Sequence, residues 1–146
     1  MNPDDRHDAS RRALTLRAEL AEIDKARVFL RETLAPFRLD EAELFKLELA
    51  LVEICVNITR YAYRDDPGPI RLTFWTRPAV SLEIRDSGRA FDPRLVPPPD
   101  LDSLAISGRR GGLGVYLARK LVDEFTYRRD GDENVLTLTR SLPVPD

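Results

Sequence analysis

A carboxylate and a carboxamide interrupt an otherwise apolar stretch near the middle of the chain. Residues 49–58 read Leu-Ala-Leu-Val-Glu-Ile-Cys-Val-Asn-Ile, and Glu53 and Asn57 are their only polar members. If the stretch is helical, a spacing of four residues places both groups on one face, one turn apart. A buried, unpaired carboxylate is costly in free energy or takes up a proton. The pair therefore predicts either an internal hydrogen-bond network or a site for a cation and a substrate.

A second polar motif, Asp86-Ser87-Gly88, follows an alternating run at 80–85 that predicts a strand. An acidic side chain two residues before a glycine can accept a hydrogen bond from an exocyclic amine, while the glycine lets a flat ring approach the main chain. Asp-Ser-Gly is also ordinary turn composition. Taken alone, the motif fits either a nucleobase site or a plain turn.

A third motif, Arg-Arg-Gly-Gly-Leu-Gly at 109–114, precedes a segment with helical spacing of apolar residues. Free N–H groups and the positive end of the helix dipole favour phosphate at such a start, and arginines add bidentate donors. No Gly-Lys-Ser/Thr follows, so the motif is not a Walker loop. Leu117 stands where a dinucleotide fingerprint has its third glycine. The motif predicts a phosphate site or a simple glycine hinge.

The three motifs follow one another as Glu-x-x-x-Asn, Asp-x-Gly-x-x-Phe-Asp and Gly-Gly-Leu-Gly, and the combination is far more specific than any one of them. In this order the chain resembles the ATP-binding fold shared by gyrase, histidine kinases and mismatch-repair ATPases. Within that superfamily it is most similar to the small bacterial anti-sigma factor serine/threonine kinases, the switch kinases of partner-switching systems. The resemblance extends over residues 13–142.

The resemblance implies a role for each motif residue. Glu53 would be the base that acts on the attacking hydroxyl, Asn57 would coordinate Mg²⁺, and Asp86 would read the adenine amino group of ATP. One side-chain ligand suffices because Mg²⁺ keeps several waters and takes phosphate oxygens as its other ligands. Tyr61 departs from the family, in which many members carry histidine. The remaining implied nucleotide-binding residues are Gly88, which would admit the adenine ring, Phe91, Arg110, Gly111, Gly112, Leu113 and Gly114.

The implied activity is phosphorylation of a serine or threonine on a STAS-domain anti-sigma factor antagonist, combined with sequestration of a sigma factor. The resemblance also implies a homodimer and a partner-binding role for Arg27, which otherwise reads as a solvated helix charge. Two alternatives are an ATP-binding sequestration module with negligible kinase activity and a detached histidine kinase catalytic domain. Glu53 favours the kinase over the first, and the lack of a phosphoacceptor helix before residue 13 disfavours the second.

Composition agrees with one domain that has a sizeable core. The chain has 146 residues, of which 42% are hydrophobic, and a net charge of −2 from 23 basic and 25 acidic residues. Interspersed charge gives no basic stripe for direct nucleic-acid binding. The single cysteine, Cys55, excludes an internal disulfide or a cysteine zinc cluster. Without a targeting segment or a run of roughly 20 apolar residues, we expect no membrane association and a cytoplasmic location.

The predicted fold class is α/β, more narrowly an α+β two-layer sandwich in which helices pack on one face of a mixed, largely antiparallel sheet. We expect a disordered tail at 1–12, an ATP-binding domain at 13–146, and an ATP lid at about 93–110 because that segment is long and proline-rich. The predicted elements are strands at 13–17, 70–76 and 80–86, helices at 19–34 and from Asp40 onward, a helix after Gly114, and a hairpin at 125–129 and 134–140.

Overall fold

Five strands and three main helices make up the computed structural model, which describes residues 10–63, 65–95 and 113–142. The elements follow one another in the predicted order, and the first strand begins two residues before its predicted start. Most of the predicted tail and most of the predicted lid lie outside the described residues. The elements are β1 (Arg11–Arg17), α1 (Ile23–Leu34), α2 (Glu41–Asn57), β2 (Pro69–Trp75), β3 (Val80–Asp86), α3 (Leu113–Leu121), β4 (Glu124–Asp130) and β5 (Glu133–Arg140).

The strands form one sheet in the order β1-β2-β3-β5-β4, and every described pair of neighbours is antiparallel. Alternate residues on the strands point to opposite faces. On β2 this buries Ile70, Leu72 and Phe74, whereas Arg71 is exposed. One face therefore belongs to the core, and the predicted α+β class is confirmed.

The helices cover the core face of the sheet. Helix α1 buries residues at helical spacing, including Ile23, Ala26 and Leu30, and packs against α2. The Asp40 side chain caps α2 as predicted, because its carboxylate accepts a hydrogen bond of 2.8 Å from the N–H of Glu43. Helix α2 lies between α1 and α3 and contacts both. No helix within the described ranges is long and apolar enough to cross a membrane.

Helix α2 does not stop at Asn57 but continues as a π-helical turn over Ile58–Ala62. The N–H of Tyr63 closes this turn on the carbonyl of Ile58 at 3.2 Å. The turn directs the chain towards the end of β3, where the N–H of Arg89 donates to the carbonyl of Ala62 at 2.9 Å. A backbone hydrogen bond therefore connects the end of the helix with the turn after β3.

Candidate functional site

A pocket lies where the C-terminal part of α2, the end of β3, the start of β5 and α3 meet. It brings together three of the predicted site residues, Asn57, Asp86 and Phe91. Polar groups at one end and apolar walls elsewhere are typical of a small-molecule site. The lining residues are Ile54, Asn57, Ile58, Ile84, Asp86, Phe91, Pro93, Val115, Tyr127, Asn134 and Leu136.

A second cavity lies in the core between the helices and the sheet. Apolar side chains such as Leu51, Phe74 and Leu138 line most of it, and Arg140 is its one charged group within the described residues. This cavity offers little to a polar ligand, although it has room. The pocket that contains Asn57 and Asp86 is the better candidate because several polar groups converge there.

The two polar residues of the apolar stretch at 49–58 are both buried, as their apolar surroundings predicted. Asn57 is 8% exposed and lines the pocket, and no hydrogen bond within the described residues satisfies its carboxamide. A buried amide is normally bonded, so this one is available to a ligand. Glu53 is also buried, one turn earlier on the helix, and is not among the lining residues of the pocket. Its predicted contact with a reacting hydroxyl remains a prediction.

Asp86 is the last residue of β3 and is 4% exposed. Its Oδ1 accepts hydrogen bonds from the N–H of Gly88 and from Nδ2 of Asn134, each at 2.9 Å. Burial raises the pKa of the Asp86 carboxyl above its usual 3.8, against the opposing effects of Asn134, Gly88 and Arg129. The structure thus holds a carboxylate in the pocket at the position predicted to read an exocyclic amine.

Gly88 meets a different need from the one predicted. A Cβ at this residue would lie 2.5 Å from the carbonyl oxygen of Ala62 and 2.7 Å from its Cβ. The close approach that requires glycine is therefore to the π-helical turn after α2. The phenol of Tyr63 holds the same turn, because its oxygen accepts from the N–H of Ser87 at 2.6 Å and donates to the carbonyl of Pro69 at 2.7 Å. Admission of a ring by Gly88 stays a prediction.

Two aromatic residues lie on each other at the edge of the pocket. The rings of Tyr61 and Phe91 are stacked, with centroids 5.9 Å apart and an interplanar angle of 26°. Tyr61 is 45% exposed, and Phe91 lines the pocket. Offset stacking of this kind stabilises an aromatic pair beyond simple burial. Tyr61 thus supports the side chain of Phe91.

Asn134 lies at the centre of the site, and the sequence analysis did not single it out. It stands directly opposite Asp86 in the antiparallel register of β3 and β5. Its side chain contacts five groups of the site, on Asp86, Arg89, Phe91, Tyr127 and Arg129. A signal was present, because asparagine is disfavoured within strands and this one begins a strand rich in valine, leucine and threonine.

The glycine motif lies mostly outside the described residues. Arg110, Gly111 and Gly112 fall there, so their predicted contacts with phosphate remain predictions. Helix α3 begins at Leu113, with Gly114 in its first turn, and Val115 lines the pocket. The motif therefore leads into a helix, as predicted, and this helix starts beside the pocket.

Arg27 lies on α1 and is not among the residues that line the pocket. Its guanidinium bonds to Asp24 through Nε at 2.8 Å and approaches the buried carboxylate of Glu48 at 3.4 Å. These two carboxylates raise the pKa of Arg27, that of Asp24 having the larger effect. With 42% of its side chain exposed, Arg27 remains accessible to a partner, and partner binding stays a prediction.

The curated relatives of this chain include protein kinases. The chain is 30% identical over 105 residues to the serine-protein kinase RsbW of Bacillus cereus, which covers 68% of this chain and 64% of that protein. It is 37% identical over 97 residues to the serine/threonine-protein kinase BtrW of Bordetella bronchiseptica, covering 65% of this chain and 68% of that one. The chain spans less than two thirds of the length of RsbW.

The fold has a solved counterpart. A crystal structure of the RsbU and RsbW domains of a Mycobacterium tuberculosis protein matches with a TM-score of 0.60 and 21% identity, covering 92% of this chain and 33% of that one. This likeness confirms the predicted fold. The family model described as a histidine kinase-like ATPase domain matches residues 16–140, a range that contains Asn57, Asp86 and the glycine motif. The chain belongs to the histidine kinase-like ATPase domain family.

Proposed function

We propose that this chain is an ATP- and Mg²⁺-dependent serine/threonine-protein kinase that phosphorylates a STAS-domain anti-sigma factor antagonist and sequesters a sigma factor. One observation carries the proposal: a single pocket contains a buried carboxylate, Asp86, and a buried carboxamide, Asn57, that has no hydrogen-bond partner among the described residues. A nucleotide needs an acceptor for its base and a metal ligand near its phosphates. The similarity to RsbW and BtrW supports the choice of a protein as substrate.

The donor set of the pocket fits the proposed ligands. The carboxamide oxygen of Asn57 is a hard oxygen ligand suited to Mg²⁺, and the Asp86 carboxylate suits the adenine amine. When bound, Mg²⁺ would neutralise charge that develops on the phosphates. The glycine motif before α3 would supply backbone N–H groups to those phosphates, since α3 begins at the pocket.

In the proposed reaction the hydroxyl oxygen of the antagonist attacks the γ-phosphorus of ATP. The bond between that phosphorus and the β–γ bridging oxygen breaks, ADP leaves, and Glu53 takes the hydroxyl proton. Glu53 stands one turn from Asn57 on the same helix, so a group that accepts protons lies near the group that orients the phosphates. Most of the rate enhancement would come from positioning and charge stabilisation.

Two further parts of the proposal concern partners. Arg27 lies on α1, a different helix from the one that carries Asn57, and its side chain is exposed. Its guanidinium would contact both the sigma factor and the antagonist, so that binding one excludes the other. The active form would be a homodimer in the cytoplasm. An ATP-binding module that acts by sequestration alone is the second candidate, because such a module needs Asn57 and Asp86 but not a base.

The variant Glu53→Gln separates the two candidates. It keeps the shape and polarity of residue 53 and removes its proton acceptor. We expect phosphorylation of a STAS-domain antagonist to fall at least about 100-fold in a single turnover, with ATP affinity changed less than about threefold. The measurement is the mass of the antagonist after incubation with ATP, Mg²⁺ and either form of the chain.

Each outcome decides between the candidates. Phosphorylation by the unmodified chain that disappears in Glu53→Gln supports the kinase and its base. Equal rates in the two proteins would remove Glu53 from the mechanism. ATP binding without phosphate transfer to any STAS-domain antagonist would favour the sequestration module.

A further inference from the structure

The carboxamide of Asn134 can adopt one orientation only. Its Oδ1 accepts a hydrogen bond from the backbone N–H of Phe91 at 3.1 Å, and its Nδ2 donates to the backbone carbonyl of Arg89 at 2.8 Å. A backbone N–H only donates and a backbone carbonyl only accepts. Exchanging the two ends of the amide would place donor against donor and acceptor against acceptor. The local backbone therefore determines which end is which.

This fixed orientation directs an N–H at Asp86. Nδ2 of Asn134 donates to Oδ1 of Asp86 at 2.9 Å, and the N–H of Gly88 donates to the same oxygen. Among the described residues no group donates to Oδ2 of Asp86. One carboxylate oxygen is therefore held by the protein, and the other is left for a ligand in the pocket that both residues line.

Two residues of β4 hold Asn134 in turn. The phenol of Tyr127 donates to its Oδ1 at 2.5 Å, and the guanidinium of Arg129 approaches the same oxygen at 3.2 Å. Arg129 also donates to the carbonyl of Gly88 at 2.8 Å. Asn134 is 4% exposed, so water does not compete strongly for these bonds. The amide is rigidly held on both sides.

We propose that Asn134 is a positioning residue for base selection: by binding Oδ1 of Asp86 it turns Oδ2 towards the exocyclic amine of a purine. The inference rests on the proposed function in one respect, the adenine role of Asp86. Without the Asn134 amide, the carboxylate could rotate about its terminal bond, because the N–H of Gly88 alone does not fix its plane. A purely structural role for Asn134 would instead affect all nucleotides equally.

The test compares ADP with purine riboside 5′-diphosphate, which lacks the 6-amino group, by calorimetric titration without Mg²⁺. The quantity of interest is the ratio of the two affinities, because general damage to the pocket cancels in it. For the unmodified chain we expect ADP to bind about tenfold more tightly. In Asn134→Leu, which keeps a branched side chain of similar size but has no hydrogen-bond donor, we expect the ratio to fall below about twofold.

Tyr127→Phe is the matched control, because it removes one bond to Oδ1 of Asn134 and leaves the Nδ2 contact with Asp86. We expect it to retain most of the preference for ADP. Circular dichroism reports whether each variant is folded, and Asn134→Ala replaces Asn134→Leu if the latter does not fold, with the same expected ratio.

The outcomes separate the inference from the function on which it rests. Equal binding of the two nucleotides by the unmodified chain would overturn the adenine role of Asp86 and this inference with it. A clear preference for ADP that survives unchanged in a folded Asn134 variant would overturn the positioning role alone. Loss of preference in the Asn134 variant, with preference kept in Tyr127→Phe, supports it.

Discussion

Two of the three buried polar side chains on helix α2 have different surroundings. Glu48, 7% exposed, approaches Arg27 at 3.4 Å and forms a close ion pair with Arg31. Asn57, 8% exposed, has no hydrogen-bond partner within the described residues. The two residues share a helix and have similar exposed fractions, so burial alone does not identify a functional residue. Whether the protein itself satisfies the group is the distinguishing property.

Asp86 lies between these extremes. Gly88 and Asn134 donate hydrogen bonds to its Oδ1, and within the described part of the chain nothing donates to its Oδ2. In this order we expect Glu48 to serve the fold, Asp86 to serve both the fold and a ligand, and Asn57 to serve a ligand. Substitutions at these residues test this order. A residue that serves the fold should affect stability more than ligand binding, and a residue that serves a ligand should do the reverse.

The largest difference between the effect on nucleotide affinity and the effect on stability is expected for Asn57→Ala. The magnesium-dependent part of ATP affinity should disappear, because one of the few protein ligands to the ion is lost. The melting temperature should change by less than about 2 °C, because the substitution breaks no hydrogen bond of the Asn57 side chain to another described residue. Calorimetric titration with and without Mg²⁺ measures the first effect. If ATP binds the unmodified chain equally well under both conditions, Asn57 is not a metal ligand.

Asp86→Asn should weaken adenine nucleotides by ~1–3 kcal/mol, because the new amide must turn its oxygen to Gly88 and Asn134 and so presents N–H groups to the adenine amine. The same change should modestly raise stability at neutral pH. Burial raises the folded-state pKa of Asp86 above its usual 3.8. The stability of the folded state therefore falls as the pH rises from 3.8 through this raised pKa, and an uncharged asparagine avoids the loss.

Two measurements check the Asp86 prediction. Titration with ATP and GTP gives the base preference, and thermal unfolding at acid and neutral pH gives the stability. If the unmodified chain binds GTP as well as ATP, Asp86 does not read adenine. If Asp86→Asn is less stable at neutral pH than the unmodified chain, the carboxylate contributes more to the fold than its surroundings indicate.

Arg27→Ala should weaken binding of the sigma factor or the antagonist by more than about tenfold, since an arginine anchor contributes more than a rim charge. ATP affinity should not change, because Arg27 is not a pocket residue. Lys25→Ala is the matched control, a change to a neighbouring exposed cation that pairs only with Glu22 among the described residues. Unaltered affinity for both partners, or simultaneous binding of the two, would exclude partner exchange through this helix.

The smallest effect on nucleotide affinity is expected for Glu48→Ala. This substitution should instead lower the melting temperature by about 3–8 °C. The substitution leaves the guanidinium groups of Arg27 and Arg31 without their shared carboxylate and removes a buried side chain. Nucleotide affinity should be unchanged, and Glu48→Gln should retain part of the lost stability because it keeps the acceptor and the shape. A clear loss of ATP affinity in either variant would contradict the contrast with Asn57.

Local sequence signals predicted most of the fold. Apolar spacing and the Asp40 cap marked α2, and alternation at 80–86 marked β3, because these patterns depend on near neighbours alone. The π-helical turn at Ile58–Ala62 was not predicted. It depends on contact between α2 and the turn after β3, which are more than 25 residues apart in sequence, and no local pattern encodes such a contact.

The same limit applies to the site. Glu53, Asn57 and Asp86 attracted attention because each is polar in an apolar context. Asn134 matters because the register of two strands places it opposite Asp86, 48 residues away along the chain. Only the pairing of β3 with β5 reveals that relation.

The contact between Gly88 and Ala62 sets a length. The backbone at Ala62, just after α2, lies so close to Gly88 that no additional carbon fits at residue 88. This contact connects the segment that carries Asn57 with the segment that carries Asp86. If Asp86 binds the base and Asn57 the metal ion, as proposed, main-chain geometry sets the span between these two contacts, and side-chain replacement elsewhere should alter it little. We therefore expect a nucleotide with a different number of atoms between base and phosphate to bind poorly, even if its base and its phosphates carry the right chemical groups.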